Sequence, residues 1–257
     1  MALNAQSFNQ QLLELLQVVS GRTVEGDMSP LAAIAEAVLK ESAEVASGDM
    51  PLSAFNVQLS LSHGEGSVPV ISFPASGERT DIRNAITSAL EDFVVGETGL
   101  DNNVATAFRY VADEIIDNIT EHADTPTGYF SASWDKDSVT LCIADGGKTI
   151  YGSYLDRQFE DIVSDQVALH AAVSGLSTKN RPGAENRGFG ISTSADMVIR
   201  GLDSTMIILS GRGLLIRNRE RNDFTELPEP IYMPGTLVGF TLPVHKEEFS
   251  FYDYIGG

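Results

Sequence analysis

One cysteine, Cys142, stands in 257 residues. A single thiol closes no internal disulfide, builds no thiolate metal site and suits a reducing compartment. No apolar run reaches the roughly 18 residues that a membrane-spanning helix needs. Met1–Gln10 carries no basic residue ahead of a long apolar stretch, so no secretory leader is expected and the expected location is cytoplasmic. Basic residues are scarce too: 17 Lys and Arg face 36 Asp and Glu, for a formal net charge of −19. So acidic a surface repels nucleic acid and anionic lipid, which excludes both as partners. Repeats and low-complexity tracts are missing as well. What is present, 42% hydrophobic and 21% charged residues, is the balance of a folded globular chain. Its length implies one large domain, or one domain with an appendage.

The charge is unevenly placed. Residues 1–108 carry four bases against fourteen acids, whereas residues 148–221 carry ten bases against eight acids. A near-neutral to basic stretch inside an acidic chain is a candidate holder of an anionic ligand. Chance clustering on solvated faces gives the same pattern.

Apolar spacing predicts helices over 6–19 and from Ser29-Pro30, read as an N-cap and first-turn proline, to Gly48. Two helices are too few to form a core, so they are expected to pack on the rest of the chain or on a second copy. Alternation over Phe55–Leu61 predicts a strand. Val68–Phe73 reads as a second, interrupted by Pro69 and therefore expected at an edge. Helices follow over Thr80–Val95 and Asp101–Ala123. Tyr129–Trp134 and Ser138–Ala144 form a hairpin, and residues 155–175 are helical in pattern. Gly175–Gly190 is a loop and Ile191–Arg200 a short helix. Thr205–Leu209 pairs with Leu214–Arg217, and Thr236–Leu242 closes the domain. Blocks of helices and strands, without strict alternation, favour an α+β sandwich.

The most informative segment is the helix ending FRYVADEIIDNITEHA, Phe108–Ala123. With 100° per residue, Phe108, Val111, Ala112, Ile115 and Ile119 form its buried face. Glu114, Asn118 and His122 run along one border, where polar side chains can line a cleft. Asp113, Asp117 and Glu121 point away. An ordinary amphipathic helix with polar flanks has the same pattern.

Two further motifs matter. In Leu141–Ile150 an apolar strand runs into Asp145-Gly146-Gly147. A carboxylate at a strand end, followed by glycines, can accept a hydrogen bond from an exocyclic amine while the backbone passes close to a flat ring. A tight turn after a strand looks the same. In Gly175–Ile191, Gly188 and Gly190 let amides approach an anion ahead of a helix start, with Lys179, Arg181 and Arg187 in the same loop. A surface loop is the alternative.

In this order and spacing the three motifs resemble those of the GHKL superfamily, which includes gyrase, the heat-shock chaperone, histidine kinases and mismatch-repair ATPases. Glu114–Asn118 looks like its N box, Asp145–Ile150 its D-x-G-x-G box and Arg187–Ile191 its later glycine box, with Ser177-Thr178-Lys179 ahead. Gly235–Pro243 resembles its closing strand. The layout from Val68 looks most like the anti-sigma-factor serine kinases and related histidine-kinase-like domains. No histidine sits in the helical-hairpin context of a phospho-acceptor, so a complete histidine kinase is not expected.

The resemblance covers about Ser67–Val244. It implies a two-layer α/β sandwich, the Bergerat fold, over residues 66–257; residues 1–65 have no counterpart in it and are read as an N-terminal helical extension, a regulatory or dimerisation element. It implies ATP and Mg²⁺ as cofactors: Asn118 on the metal, Glu114 as general base, Asp145 on the adenine amine with Gly147 letting the base approach, and Gly188 and Gly190 on phosphates with Lys179 or Arg187 offsetting charge. Thr149 stands where the box has its second glycine. Residues 151–187 would form a lid. The implied function is an Mg-ATP-binding regulatory protein, a serine/threonine kinase or switch of anti-sigma type acting with a protein partner. An ATPase driving a conformational cycle of a homodimer and a non-catalytic nucleotide-binding module are the alternatives.

Overall fold

A computed structural model describes residues 5–47, 60–62, 65–75, 95–96, 98–176, 191–246 and 248–255. Eight strands form one antiparallel sheet: β1 (Ser60–Ser62), β2 (Glu65–Pro74), β3 (Thr127–Trp134), β4 (Ser138–Asp145), β5 (Thr205–Gly211), β6 (Gly213–Arg217), β7 (Asn222–Glu226) and β8 (Met233–Pro243). Their spatial order is β1-β2-β3-β4-β8-β5-β6-β7. The last long strand therefore enters the middle of the sheet, between β4 and β5, rather than closing an edge.

Side chains alternate between two apolar layers, as a pleated sheet requires. Val139, Leu141 and Ile143 of β4, Met206 and Ile208 of β5, and Val238, Phe240 and Leu242 of β8 face one side. There they meet α3 (Asn102–His122), whose Phe108, Val111, Ala112, Ile115 and Ile119 are buried. This is the helix face that the 100° spacing predicts. The stripe is broader than predicted, since Val104 and Ile116 are buried too, and it leaves Asp113 and Asp117 half-buried.

The other face is covered as well. Helices α1 (Ala5–Val19) and α2 (Pro30–Ser47) pack together, and α2 lies on β3, β4 and β8. Leu15, Leu31, Ile34 and Val38 share a core with Cys142, Ala144, Ile207, Leu209 and Leu237. The approach is close at Gly239 of β8, where a Cβ would stand 2.2 Å from Leu31 Cδ2. The first two helices thus pack on their own chain. Pro30 opens α2 as expected, and the Ser29 amide donates to Glu14 Oε2 on α1 at 3.0 Å. The architecture is α+β, with helices on both faces of the sheet.

Four expectations change. Residues 155–175 are not one helix: α4 (Ile150–Asp156) and α5 (Asp165–Val173) are separated by a turn in which Gln158 has φ of 59°, and Ser164 caps α5 by accepting from the Val167 amide. The predicted short helix is α6 (Ile191–Asp196), which continues as a π-helical turn, Met197–Gly201. β7 has no counterpart in the sequence reading, because NDFTE at an exposed edge lacks an apolar face. The strand expected at an edge is not one: β2 lies between β1 and β3, and Pro69 is accommodated where the β2–β3 register shifts between Val68 and Ile71. A last short helix, α7 (Tyr252–Ile255), packs near α6. Phe55–Leu59 of the first predicted strand and residues 80–94 of the predicted Thr80–Val95 helix lie outside the described residues. So do Lys179, Arg187, Gly188 and Gly190.

Candidate functional site

Asp145 ends β4 with its carboxylate buried, 2% exposed. The Gly147 amide donates to Asp145 Oδ1 at 2.9 Å, and the Thr236 backbone amide also donates to the carboxylate. Burial outweighs these bonds and pushes the group up to about 7. Gly235, with φ of 69°, packs over the aspartate so closely that a Cβ would lie 2.4 Å from Oδ1. The result is a carboxyl held in one orientation at a strand end, ionising near neutrality.

The turn after Asp145 is joined to the C-terminal end of α3. The Lys148 amide donates to the Ala123 carbonyl at 2.6 Å. A Cβ on Gly147 would lie 2.1 Å from that same oxygen. Gly147 is therefore required by α3 itself, apart from any approach of a planar base. Lys148 Nζ completes the join, 2.5 Å from Asp156 on α4 and 3.7 Å from Asp124 just beyond α3.

That end of α3 carries the polar border. Asn118 precedes Ala123 by five residues, roughly 7.5 Å of helix rise, and Glu114 lies one turn further back. Both are half-buried, as border positions should be. The Asn118 amide makes no hydrogen bond among the described residues. Glu114 acts on Tyr110, one turn earlier: burial first, and then the Glu114 charge, push the phenol up to about 12. The Tyr110 hydroxyl is buried with no hydrogen-bond partner among the described residues, while its ring packs edge-on against Phe251, 5.6 Å between centroids.

Thr149 serves as the N-cap of α4, its hydroxyl accepting from the Gly152 amide at 3.0 Å. Where a glycine would leave the turn free, this threonine starts a helix. The first amide of that helix, Ile150, donates to Ser210 Oγ at 2.9 Å. Ser210 donates in turn to the Gly235 carbonyl and lies 3.0 Å from Thr236 Oγ1. Ser210 and Thr236 thus complete the polar floor beside Asp145. Sequence reading missed both, because neighbours across β5, β8 and β4 are invisible in a linear chain. The one signal for Thr236 was its place directly after Gly235.

The structure therefore brings Asp145, Gly147 and Thr149 to the end of the helix that carries Glu114 and Asn118. Among the described residues no helix is long and apolar enough to cross a membrane. No protein-family model, curated protein or solved structure matches the chain.

Proposed function

We propose that this chain is an Mg-ATP-binding regulatory protein of Bergerat type, a serine/threonine kinase or switch acting on a protein partner. The observation that carries the reading is the direct joining of the Asp145 turn to the end of α3 through Ala123. The junction sets an oriented buried carboxyl near the end of a helix whose flank carries a carboxylate and an amide one turn apart, which supports its reading as the acceptor for a purine amine. The residues present fit the group: a buried carboxyl has unused capacity as an acceptor once ionised, and an uncommitted amide oxygen is a hard ligand suited to Mg²⁺.

In this reading Asp145 accepts from the exocyclic amine, with Thr236 and Ser210 fixing its surroundings. Asn118 holds the metal through its amide oxygen. Glu114 removes the proton from the attacking hydroxyl. Bound Mg-ATP supplies the transferable phosphoryl group. Lys179, Arg187, Gly188 and Gly190 are assigned to the phosphates on the resemblance alone. The apolar face of α1 and α2 is occupied by the chain's own sheet, so these helices serve a partner or regulator through their polar outer side.

A thermal-shift series with ATP, ADP and GTP, each with and without Mg²⁺, tests the binding, since a ligand that binds the folded state raises its melting temperature. A magnesium-dependent rise with ATP and none with GTP is expected. No rise with any nucleotide overturns the reading. Label transferred from ATP to a partner identifies the kinase, and phosphate release alone the ATPase.

A further inference from the structure

At the end of the sheet away from Asp145, four arginines gather around one shallow concavity of about 250 Å³. The strand registers place it there. Thr236 pairs with both Asp145 and Ser210, whereas Arg217 pairs with Met206, and Met206 with Phe240 further along β8. The turn after Arg217 therefore leaves the far end of the sheet. Arg217, Arg219 and Arg221 line the concavity from this turn, and Arg200 lines it from the π-helical turn opposite.

The turn is preorganised. Asn218 Oδ1 accepts from the amides of Glu220 and Arg221 at 2.9 and 2.8 Å. Three carboxylates hold the guanidiniums by one edge each: Asp196 holds Arg217 at 2.8 Å, Asp203 holds Arg219 at 2.9 Å, and Asp223 holds Arg221 at 2.7 Å. Arg219 also donates to the Arg200 carbonyl at 3.0 Å. Arg200 is the least committed, with a side chain 70% exposed and only a 3.8 Å contact to Asp196. A guanidinium has five N–H donors in a planar fork, so one occupied edge leaves further donors. Glu220 is the one carboxylate at the concavity whose side chain makes no ion pair among the described residues.

On a chain of net charge −19, a patch with as many bases as acids repels an anion less than the chain's average surface does. Convergent forked donors select an oxyanion with several acceptor oxygens over a monatomic ion. We propose that this concavity binds a phosphate monoester, presented either by a small phosphorylated molecule or by a phosphorylated side chain. The site is separate from the proposed nucleotide site and does not rest on that reading.

The test is amide-resolved NMR on the full chain, titrated with inorganic phosphate, a phosphoserine tetrapeptide, its unphosphorylated form, and chloride at matched ionic strength. Saturating shifts at Asn218–Arg221 with phosphate or phosphopeptide, and none with chloride or plain peptide, are expected. A phosphopeptide at least tenfold tighter than phosphate assigns the site to a modified side chain; equal affinity assigns it to a small phosphate. Arg200→Ala should weaken binding at least fivefold, and Glu220→Gln should tighten it at least twofold. Equal shifts with chloride, shifts confined to Gly146–Lys148, or no change in Arg200→Ala would overturn the proposal. The same spectra establish that each variant is folded.

Discussion

The carbonyl oxygen of Ala123 stands 2.1 Å from where a side chain on Gly147 would begin. That contact joins the end of α3 to the turn after β4, and with it the two halves of the candidate site. Gly147→Ala must push a backbone carbonyl aside, which no rotamer change can relieve. A loss of about 1–3 kcal/mol is expected, in the range of overpacked interiors. Urea unfolding checks it. An unchanged midpoint would mean that the junction yields freely.

Asp145 sets a pH dependence. Its folded-state value of about 7 lies above the ordinary 3.8. Between these values the folded chain keeps a proton that the unfolded chain has released, so this group's contribution to stability falls as pH rises from about 4 to 7. The full cost above pH 7 is on the order of 4 kcal/mol. Asp145→Asn removes it. The stability difference, variant minus wild type, should grow between pH 4 and 7 in paired denaturant melts and then level off. A difference flat with pH contradicts the assignment.

The same group links nucleotide binding to protons. Accepting a hydrogen bond from an amine favours the ionised carboxylate, so ATP binding near pH 6.5 should release protons from the wild type and not from Asp145→Asn. Calorimetry in two buffers of different ionisation enthalpy measures the count. Identical heats in both buffers for the wild type would remove Asp145 from the contact.

Asn118 and Glu114 divide binding from turnover. Asn118→Ala should abolish the magnesium-dependent part of the ATP thermal shift. At about 100 Kd of ATP the whole shift corresponds to about 2.7 kcal/mol, and the stabilisation lost is its magnesium-dependent share. Glu114→Ala should keep the shift and lose turnover by about 10²–10⁴-fold, the scale of general-base removal. Full turnover in Glu114→Ala strips that residue of its role.

Leu31 and Gly239 test the second face. Gly239→Ala places a methyl 2.2 Å from Leu31 Cδ2 and should cost about 1–3 kcal/mol. Adding Leu31→Ala makes room for it, so the double variant should be more stable than the sum of the single effects. A coupling energy above about 0.5 kcal/mol is expected for residues in contact. Strict additivity would mean that α2 does not rest on β8 there.

Periodicity made α3 legible, because its alternating turns of apolar and polar residues answer to one buried face, and Phe108, Val111, Ala112, Ile115 and Ile119 fill it. The β3–β4 hairpin was legible for the same reason, with Asp135 Oδ1 accepting from the amides of Asp137 and Ser138 to close the turn. β7 was not, since an edge strand needs only one partner and NDFTE carries no alternating apolar signal. Nor was the break between α4 and α5, where backbone conformation at Gln158 overrides a run of helix-compatible residues.

By itself, the sequence determined which residues seek the interior, where α1, α2, α3 and α6 begin, and that a carboxylate would follow an apolar strand into glycines. These depend on neighbours along the chain. Tertiary structure alone decided that β8 enters the sheet beside β4, that Thr236 and then Ser210 line up across from Asp145, that Ala123 occupies the space beside Gly147, and that α1 and α2 cover the face opposite α3. Each is a contact between residues distant along the chain, set by strand register and by how closely two backbones can approach.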